Sequence, residues 1–234
     1  MVESLEHVAR HLVAALRLPP NRWRFPLASA ADDSGLVAVG GDLRPETLLT
    51  AYCTGLFPMP LGMRRRLGWW SPDPRAILQL DDLRVSRSLR RSRSRYVVRV
   101  DTAFTDVMRS CADPARPHGW ITPEFIDGYG TLFDRGFAHS IETWTPEGEL
   151  VGGLYGVNIG GLFAGESMFH TAVDASKVAL AHLVTILRGV PDPLLDVQWL
   201  TPHLASLGAT EIARPDYLRR LGTALLSAAP DFSI

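Results

Sequence analysis

Leu150 to Phe169 reads LVGGLYGVNIGGLFAGESMF, Asp174 to Leu180 reads DASKVAL, and Asp196 to Gly208 reads DVQWLTPHLASLG. In the first stretch Gly152, Gly153, Gly156, Gly160, Gly161 and Gly165 separate short apolar runs, which reads as strands joined by tight turns. The last run ends on Glu166, beside Ser167, Met168 and Phe169. A later apolar strand ends on Asp196 and Gln198. Polar groups at two strand ends beside apolar side chains point to an enzyme active site rather than a flat binding face.

Working outward, AHSIETW (138–144), a turn at Pro146-Glu147-Gly148, ELVGGLYGV (149–157), a turn at 159–161 and LFAGESMF (162–169) form an antiparallel meander. Asp174 caps a helix over 175–188 that Gly189 stops, and LLDVQW (194–199) is the next strand. Thr201-Pro202 opens a short helix that ends at Gly208, and Pro215 opens another. Upstream, AILQL (76–80) and YVVRV (96–100) are strands, and VSRSLRRSRSR (85–95) is a basic helix or loop. Residues 104–111 are helical, and a helix opens at Thr122-Pro123-Glu124 and stops at Gly136. The first part, to about Ser71, is rich in Gly and Pro and expected to be irregular. Its clear helix spans 45–53, with Asp42 as cap, Pro45 in the first turn and Gly55 after the end.

With 234 residues and 46% apolar content the chain can bury a core and fits one or two domains. Net charge is −1, so no global field announces a polyanion. Yet Arg64, Arg65, Arg66, Arg75, Arg84, Arg87, Arg90, Arg91, Arg93, Arg95 and Arg99 face only Asp73, Asp81 and Asp82 in the same segment. That asymmetry fits a nucleic-acid footprint. It equally fits a solvated surface in a chain whose only lysine is Lys177. Cys53 and Cys111 show no paired framework, which favours a reducing compartment and a cytoplasmic location.

Residues 1–18 do not read as a signal peptide, because Glu3, Glu6, Arg10 and His11 interrupt the apolar positions. Leu5, Val8, Leu12 and Leu16 instead mark one face of a short amphipathic helix, ended by Pro19-Pro20, that packs on the body rather than anchoring in a membrane. No run approaches the ~18 apolar residues of a membrane-spanning helix. His7, His11, His118, His139, His170, His182 and His203 have no spacing that makes a metal triad, and packing is the expected role of His139 and His203. Ser167 lies outside any G-x-S-x-G elbow, which disfavours serine hydrolase chemistry.

GLVAVGGDL (35–43), WWSPDPR (69–75), GESMF (165–169) and DVQW (196–199) together resemble the leucyl/phenylalanyl-tRNA–protein transferases, over roughly residues 25–221. The resemblance implies an α+β chain: a small irregular N-terminal domain, 1–72, with 1–20 as an added amphipathic extension, then a GNAT-like acyltransferase core, 73–234. The meander, helix and strand follow the order of such a core. GNAT enzymes that use acyl-CoA hold pyrophosphate in a Gly-rich loop at a helix N-terminus. The matching junction here, HTAVDASK (170–177), has no glycine and carries Asp174. A CoA donor is therefore disfavoured and a charged RNA favoured, its phosphates met by the arginines.

The implied reaction transfers Leu or Phe, and less well Met, from aminoacyl-tRNA to the α-amine of proteins with N-terminal Arg or Lys, which marks them for N-degron degradation. An ester is already activated, so neither ATP, metal nor any other cofactor is expected. A monomer without stable membrane association is expected. The enzyme must align a neutral amine, remove a proton and stabilise the carbonyl oxygen. Asp196 and Gln198, two apart on a strand, share a face. Gln198 is read as holding the amine by its amide oxygen, with Asp196 as electrostatic partner and Glu166 as negative charge for the acceptor. That pair, a water and the leaving ribose are three open routes for the proton.

Leu154, Phe163, Met168, Leu180, Leu183 and Leu195 match the family's donor side-chain pocket. Leu183 stands where an aromatic is common, and Val197 replaces a frequent cysteine. Contacts to tRNA are expected from Met59, Trp69, Trp70, Arg75, Arg87, Arg90, Arg91, Arg93 and Trp120. Met59 departs from the family's tryptophan, which stacks on the terminal adenine, and gives up about 1–3 kcal/mol of stacking. Trp69, Trp70, Trp120 or the added basic residues of LGMRRRLG (61–68) are possible compensations. Two other readings compete: a tRNA-dependent acyltransferase with a non-protein acceptor, which the GGDL, WWSPDPR and GESMF segments disfavour, and a non-catalytic RNA- or degron-binding module, which intact Glu166, Asp196 and Gln198 disfavour.

Overall fold

The computed structural model describes residues 4–62, 66–114 and 119–233. Arg64 and Arg65 of the arginine run, and His118, lie outside the described residues. The fold is α+β. The chain opens on α1 (Leu5–Ala15), whose first turn is capped by Ser4 Oγ accepting from His7 N–H at 3.3 Å. Ala9 and Val13 are buried, Leu5, Val8, Leu12 and Leu16 pack partly buried on the core, and the helix lies against α2 (Pro45–Cys53). No helix among the described residues is long and apolar enough to cross a membrane.

The first part is more ordered than its Gly and Pro content predicts. The strands β1 (Leu36–Val39), β2 (Phe57–Leu61) and β3 (Arg66–Trp70) form an antiparallel sheet in the order β1-β3-β2. Pro58 and Pro60 disguise β2 as a loop. The strand tolerates them because it lies at a sheet edge, where missing N–H donors leave no partner unpaired. Asp42 does not cap α2. Arg44 holds the cap position, and the Asp42 carboxylate takes the Thr47 hydroxyl at 2.7 Å and the Trp23 indole N–H at 3.0 Å.

The second part supplies β4 (Arg75–Leu78), α3 (Arg87–Arg93), β5 (Val97–Val100), α4 (Phe104–Cys111), α5 (Pro123–Phe133), β6 (Ala138–Trp144), β7 (Leu150–Ile159) and β8 (Leu162–His170). After these come α6 (Ala175–Leu187), β9 (Leu194–Gln198), α7 (Pro202–Ser206), β10 (Thr210–Ile212) and α8 (Arg214–Leu226). Their strands form one sheet in the order β10-β4-β9-β8-β7-β6-β5. Every described pairing is antiparallel except β8 with β9, which the helix α6 connects as a crossover.

Strand alternation divides the core between two sheet faces. On β7, Leu154 joins α6 in one apolar cluster, whereas Tyr155 and Val157 join α1, α2, α4, α5 and α8 in the other. Two glycines of the opening stretch are required by close approach. A Cβ at Gly152 would stand 2.6 Å from Ala175 Cβ, where α6 begins against the strand. One at Gly156 would stand 2.4 Å from the Phe163 ring. Asp174 precedes α6 in a left-handed conformation (φ 63°) and makes no side-chain cap. Its carboxylate is held instead by Ser88, Ser92 and Lys177.

Candidate active site

Regular pairing between β7 and β8 is broken where Tyr155 opposes Ser167 but Gly156 opposes Gly165. Glu166 is the extra residue of a β-bulge, and the bulge turns its side chain toward α2 and α5. There its carboxylate accepts from the Tyr52 hydroxyl at 2.7 Å, the Tyr129 hydroxyl at 3.0 Å and Gln198 Nε2 at 3.1 Å. The two hydroxyls also bond to each other. Burial is the largest effect on Glu166 and raises its pKa. The tyrosine hydrogen bonds oppose it, Asp196 adds to it, Arg75 opposes, and the carboxyl ends at about 7. Burial first, and then the Glu166 charge, hold both tyrosines well above their ordinary range, so they are neutral donors.

Asp196 is completely buried and belongs to a second node. It takes Arg75 Nε at 2.9 Å and Arg75 Nη2 at 2.6 Å in a bidentate pair, the Tyr217 hydroxyl at 2.9 Å and the Gln198 backbone N–H at 3.0 Å. The Arg75 guanidinium also lies over the rings of Phe57 and Tyr217, 4.6 and 4.4 Å from their centroids, and donates to Gly55 O. Burial works against the Arg75 charge. Asp196 and then Tyr217 override it and raise the guanidinium pKa above its ordinary value. Gln198 adopts φ 60°, an uncommon conformation for a non-glycine residue, with its N–H on Asp196 and its side chain on Glu166. Asp196 therefore fixes the end of β9 and Gln198 presents its amide. Among the described residues no donor occupies the amide oxygen of Gln198.

Glu166 and Gln198 line a cavity of about 320 Å³. Of the residues expected to form an apolar pocket, Leu154, Met168, Leu180, Leu183 and Leu195 line it. Phe163 does not. It is fully buried behind Gly156, because it pairs with Leu195 deeper in the sheet. Met59 and Trp120 form part of the opposite wall, with Phe57 and Trp199.

Two expected RNA contacts are corrected by burial. Arg75 is 1% exposed, because β4 is a central strand with both faces covered, and it neutralises Asp196 rather than a phosphate. Trp69 is also 1% exposed. Its indole N–H donates to Gly40 O at 2.7 Å and its ring meets Phe25 edge-on, so no base can reach it. Trp70, on the opposite face of β3, is half-buried, donates to Met59 O at 3.2 Å and braces Trp199. Arg87, Arg90, Arg91 and Arg93 are exposed on α3, which turns Leu89 and Ser92 inward. His139 bonds through Nδ1 to Asp101 at 2.6 Å, a side chain rather than the backbone.

Tyr52, Tyr129 and Tyr217 were not singled out from the sequence. They come from three separate helices, and no spacing links them to Glu166 or Asp196. Trp199 carried a signal, being the neighbour of Gln198 in DVQW.

Acid, amide and cavity define an α+β protein built to hold an apolar group beside a nucleophile. Family models for the leucyl/phenylalanyl-tRNA protein transferase match residues 77–222, and those for its N-terminal domain match residues 41–73. Among proteins named leucyl/phenylalanyl-tRNA–protein transferase, one from Anaeromyxobacter sp. is 52% identical, covering 91% of this chain and 92% of its own. One from Thiobacillus denitrificans is 50% identical over 86% and 90%, and one from Sulfurimonas denitrificans 47% over 88% and 90%. The chain belongs to the leucyl/phenylalanyl-tRNA–protein transferase family. A solved structure of L-PGS from Bacillus licheniformis is a distant likeness, 12% identical with a TM-score of 0.31 over 72% of this chain and 50% of that one, and carries no argument.

Proposed function

We propose that this protein transfers leucine or phenylalanine, and methionine less well, from aminoacyl-tRNA to the α-amine of proteins that begin with Arg or Lys, marking them for degradation. The observation that carries this reading is the meeting of Glu166 and Gln198 at one end of an apolar cavity, in a chain of this family. The donor side chain occupies the part of the cavity walled by Leu154, Met168, Leu180, Leu183 and Leu195. The terminal adenosine rests against Met59 and Trp120. The arginines of α3 hold phosphates further along the RNA.

The acceptor amine approaches Gln198, whose amide oxygen orients it, while Glu166 supplies negative charge for the incoming cation. The amine nitrogen bonds to the ester carbon, the bond to the ribose oxygen breaks, and one amine proton is lost as the ribose oxygen gains one. Asp196 acts through Gln198 and Arg75 as a positioning residue. The chemistry runs on a core of the GNAT type, supported by the β8-α6-β9 crossover beside the meander, with an N-terminal domain ending near residue 72. The protein works as a cytoplasmic monomer. The test incubates purified protein with leucyl-, phenylalanyl- and methionyl-tRNA and peptides that begin with Arg, Lys or Ala, and weighs the products. Leucine or phenylalanine added to the Arg and Lys peptides alone is the expected result. Addition to none of them overturns the reading.

A further inference from the structure

The cavity is electrically graded along its length. On β8 the order is Glu166, Met168 and His170. Met168 lines the apolar part, and His170, two residues on, projects from the same strand face at the exposed rim. On α6, Leu180 lines the apolar part and Lys177, three residues earlier, lies one turn nearer the helix start on the same face. On α7, His203 is itself part of the wall and is exposed. Basic side chains from three elements therefore meet at the rim beyond the apolar section, at the end away from Glu166.

Their contacts support a shared site. Lys177 Nζ is anchored 2.9 Å from Asp174 Oδ1, while Asp174 Oδ2 is turned to Ser88 and Ser92 on α3. His170 Nδ1 stands 3.4 Å from the Ser176 hydroxyl, next to Lys177. Burial first, then Lys177 and His170, lower the pKa of His203. An anion between the three groups would reverse the last two effects and charge the imidazole.

We propose that His203, Lys177 and His170 bind the phosphate that precedes the esterified nucleoside of the donor. This rests on the aminoacyl-tRNA reading above. In that reading the acceptor's positive charge belongs at Glu166 and the donor side chain belongs in the apolar middle. The remaining charged part of the donor next to the ester is its 5′-phosphate. A point-charge ammonium and two imidazoles suit such an oxyanion.

The test compares binding of 3′-deoxy-3′-(L-leucylamino)adenosine with that of its 5′-monophosphate by calorimetry at neutral pH. In the native protein the phosphate tightens binding about tenfold, the size of one charge-assisted hydrogen bond, and the ratio falls with added salt. The ratio is read within each protein, so a general loss of affinity cancels. It falls toward unity in the His203→Gln/Lys177→Gln double variant and is retained in His203→Arg. A ratio of unity in the native protein, or an undiminished ratio in the double variant, overturns the rim site alone. Failure of both compounds to bind overturns the rim site and the donor reading together. The native ratio and its salt dependence need no variant, so the proposal does not depend on the substitutions folding.

Discussion

Asp196 and Glu166 are neighbours in one site, but their surroundings differ in one decisive respect. Asp196 receives a bidentate guanidinium from Arg75, a hydroxyl from Tyr217 and the N–H of Gln198. Glu166 receives only neutral donors, from Tyr52, Tyr129 and Gln198. The cation makes Asp196 a permanent charge that organises β4, β9 and α8. Without a direct cation partner, Glu166 is left with a carboxyl pushed up by burial to about 7. Two acids a few residues from one amide thus divide the work: one fixes geometry and the other titrates where an amine must be handled.

The largest expected effect tests the structural half of this contrast. Arg75→Met leaves Asp196 buried without its cation and is expected to destabilise the protein by about 3–5 kcal/mol in urea unfolding. Replacing both partners, as Arg75→Met/Asp196→Leu, restores part of that stability while activity stays low. Unchanged stability in Arg75→Met would end the view of this pair as the anchor of β9.

Glu166→Gln tests the titrating half. Shape and hydrogen bonds are largely kept, so turnover in the peptide assay is expected to fall by about 10²-fold or more with little loss of stability. Near-native turnover across the pH range would remove Glu166 from the reaction.

A third test uses stability instead of activity. Glu166 has a folded pKa of about 7 against an ordinary value of 4.5, so folding favours its protonated form. Its contribution is fully present below about pH 4.5 and is lost as pH rises through about 7. Unfolding free energy of the native protein relative to Glu166→Gln is expected to fall by about 1–3 kcal/mol over that window. Equal pH profiles for the two proteins would mean that Glu166 is ionised throughout.

Tyr129→Phe is the finest probe. Its hydroxyl bond favours the carboxylate, so the variant is expected to shift the pH midpoint for activity upward and to lose about 1 kcal/mol of stability. A midpoint that stays in place would separate the activity profile from Glu166.

The amino-acid order by itself determined much of the second part. The meander, the crossover helix and the strand that ends on Asp196 and Gln198 were legible because local alternation, Gly turns and Pro-opened helices agree with the final packing. Glu166, Gln198 and five side chains of the apolar cavity were likewise identified before any coordinates, chiefly through family-like segments. The small sheet of the first part was hidden by prolines that only an edge position makes acceptable. Arg75 and Trp69 were grouped with exposed residues by sequence proximity. Strand burial instead placed Arg75 against Asp196 and Trp69 under Gly41.

Tertiary structure alone decided which carboxylate is charged. The sequence contains both acids, but ionisation depends on desolvation and on the distance to a cation. Those quantities follow from residues far apart in the chain, Arg75 and Tyr217 around Asp196, and Tyr52 and Tyr129 around Glu166. No local pattern encodes them, because the contacts form only when α2, α5, α8 and the large sheet close on one another.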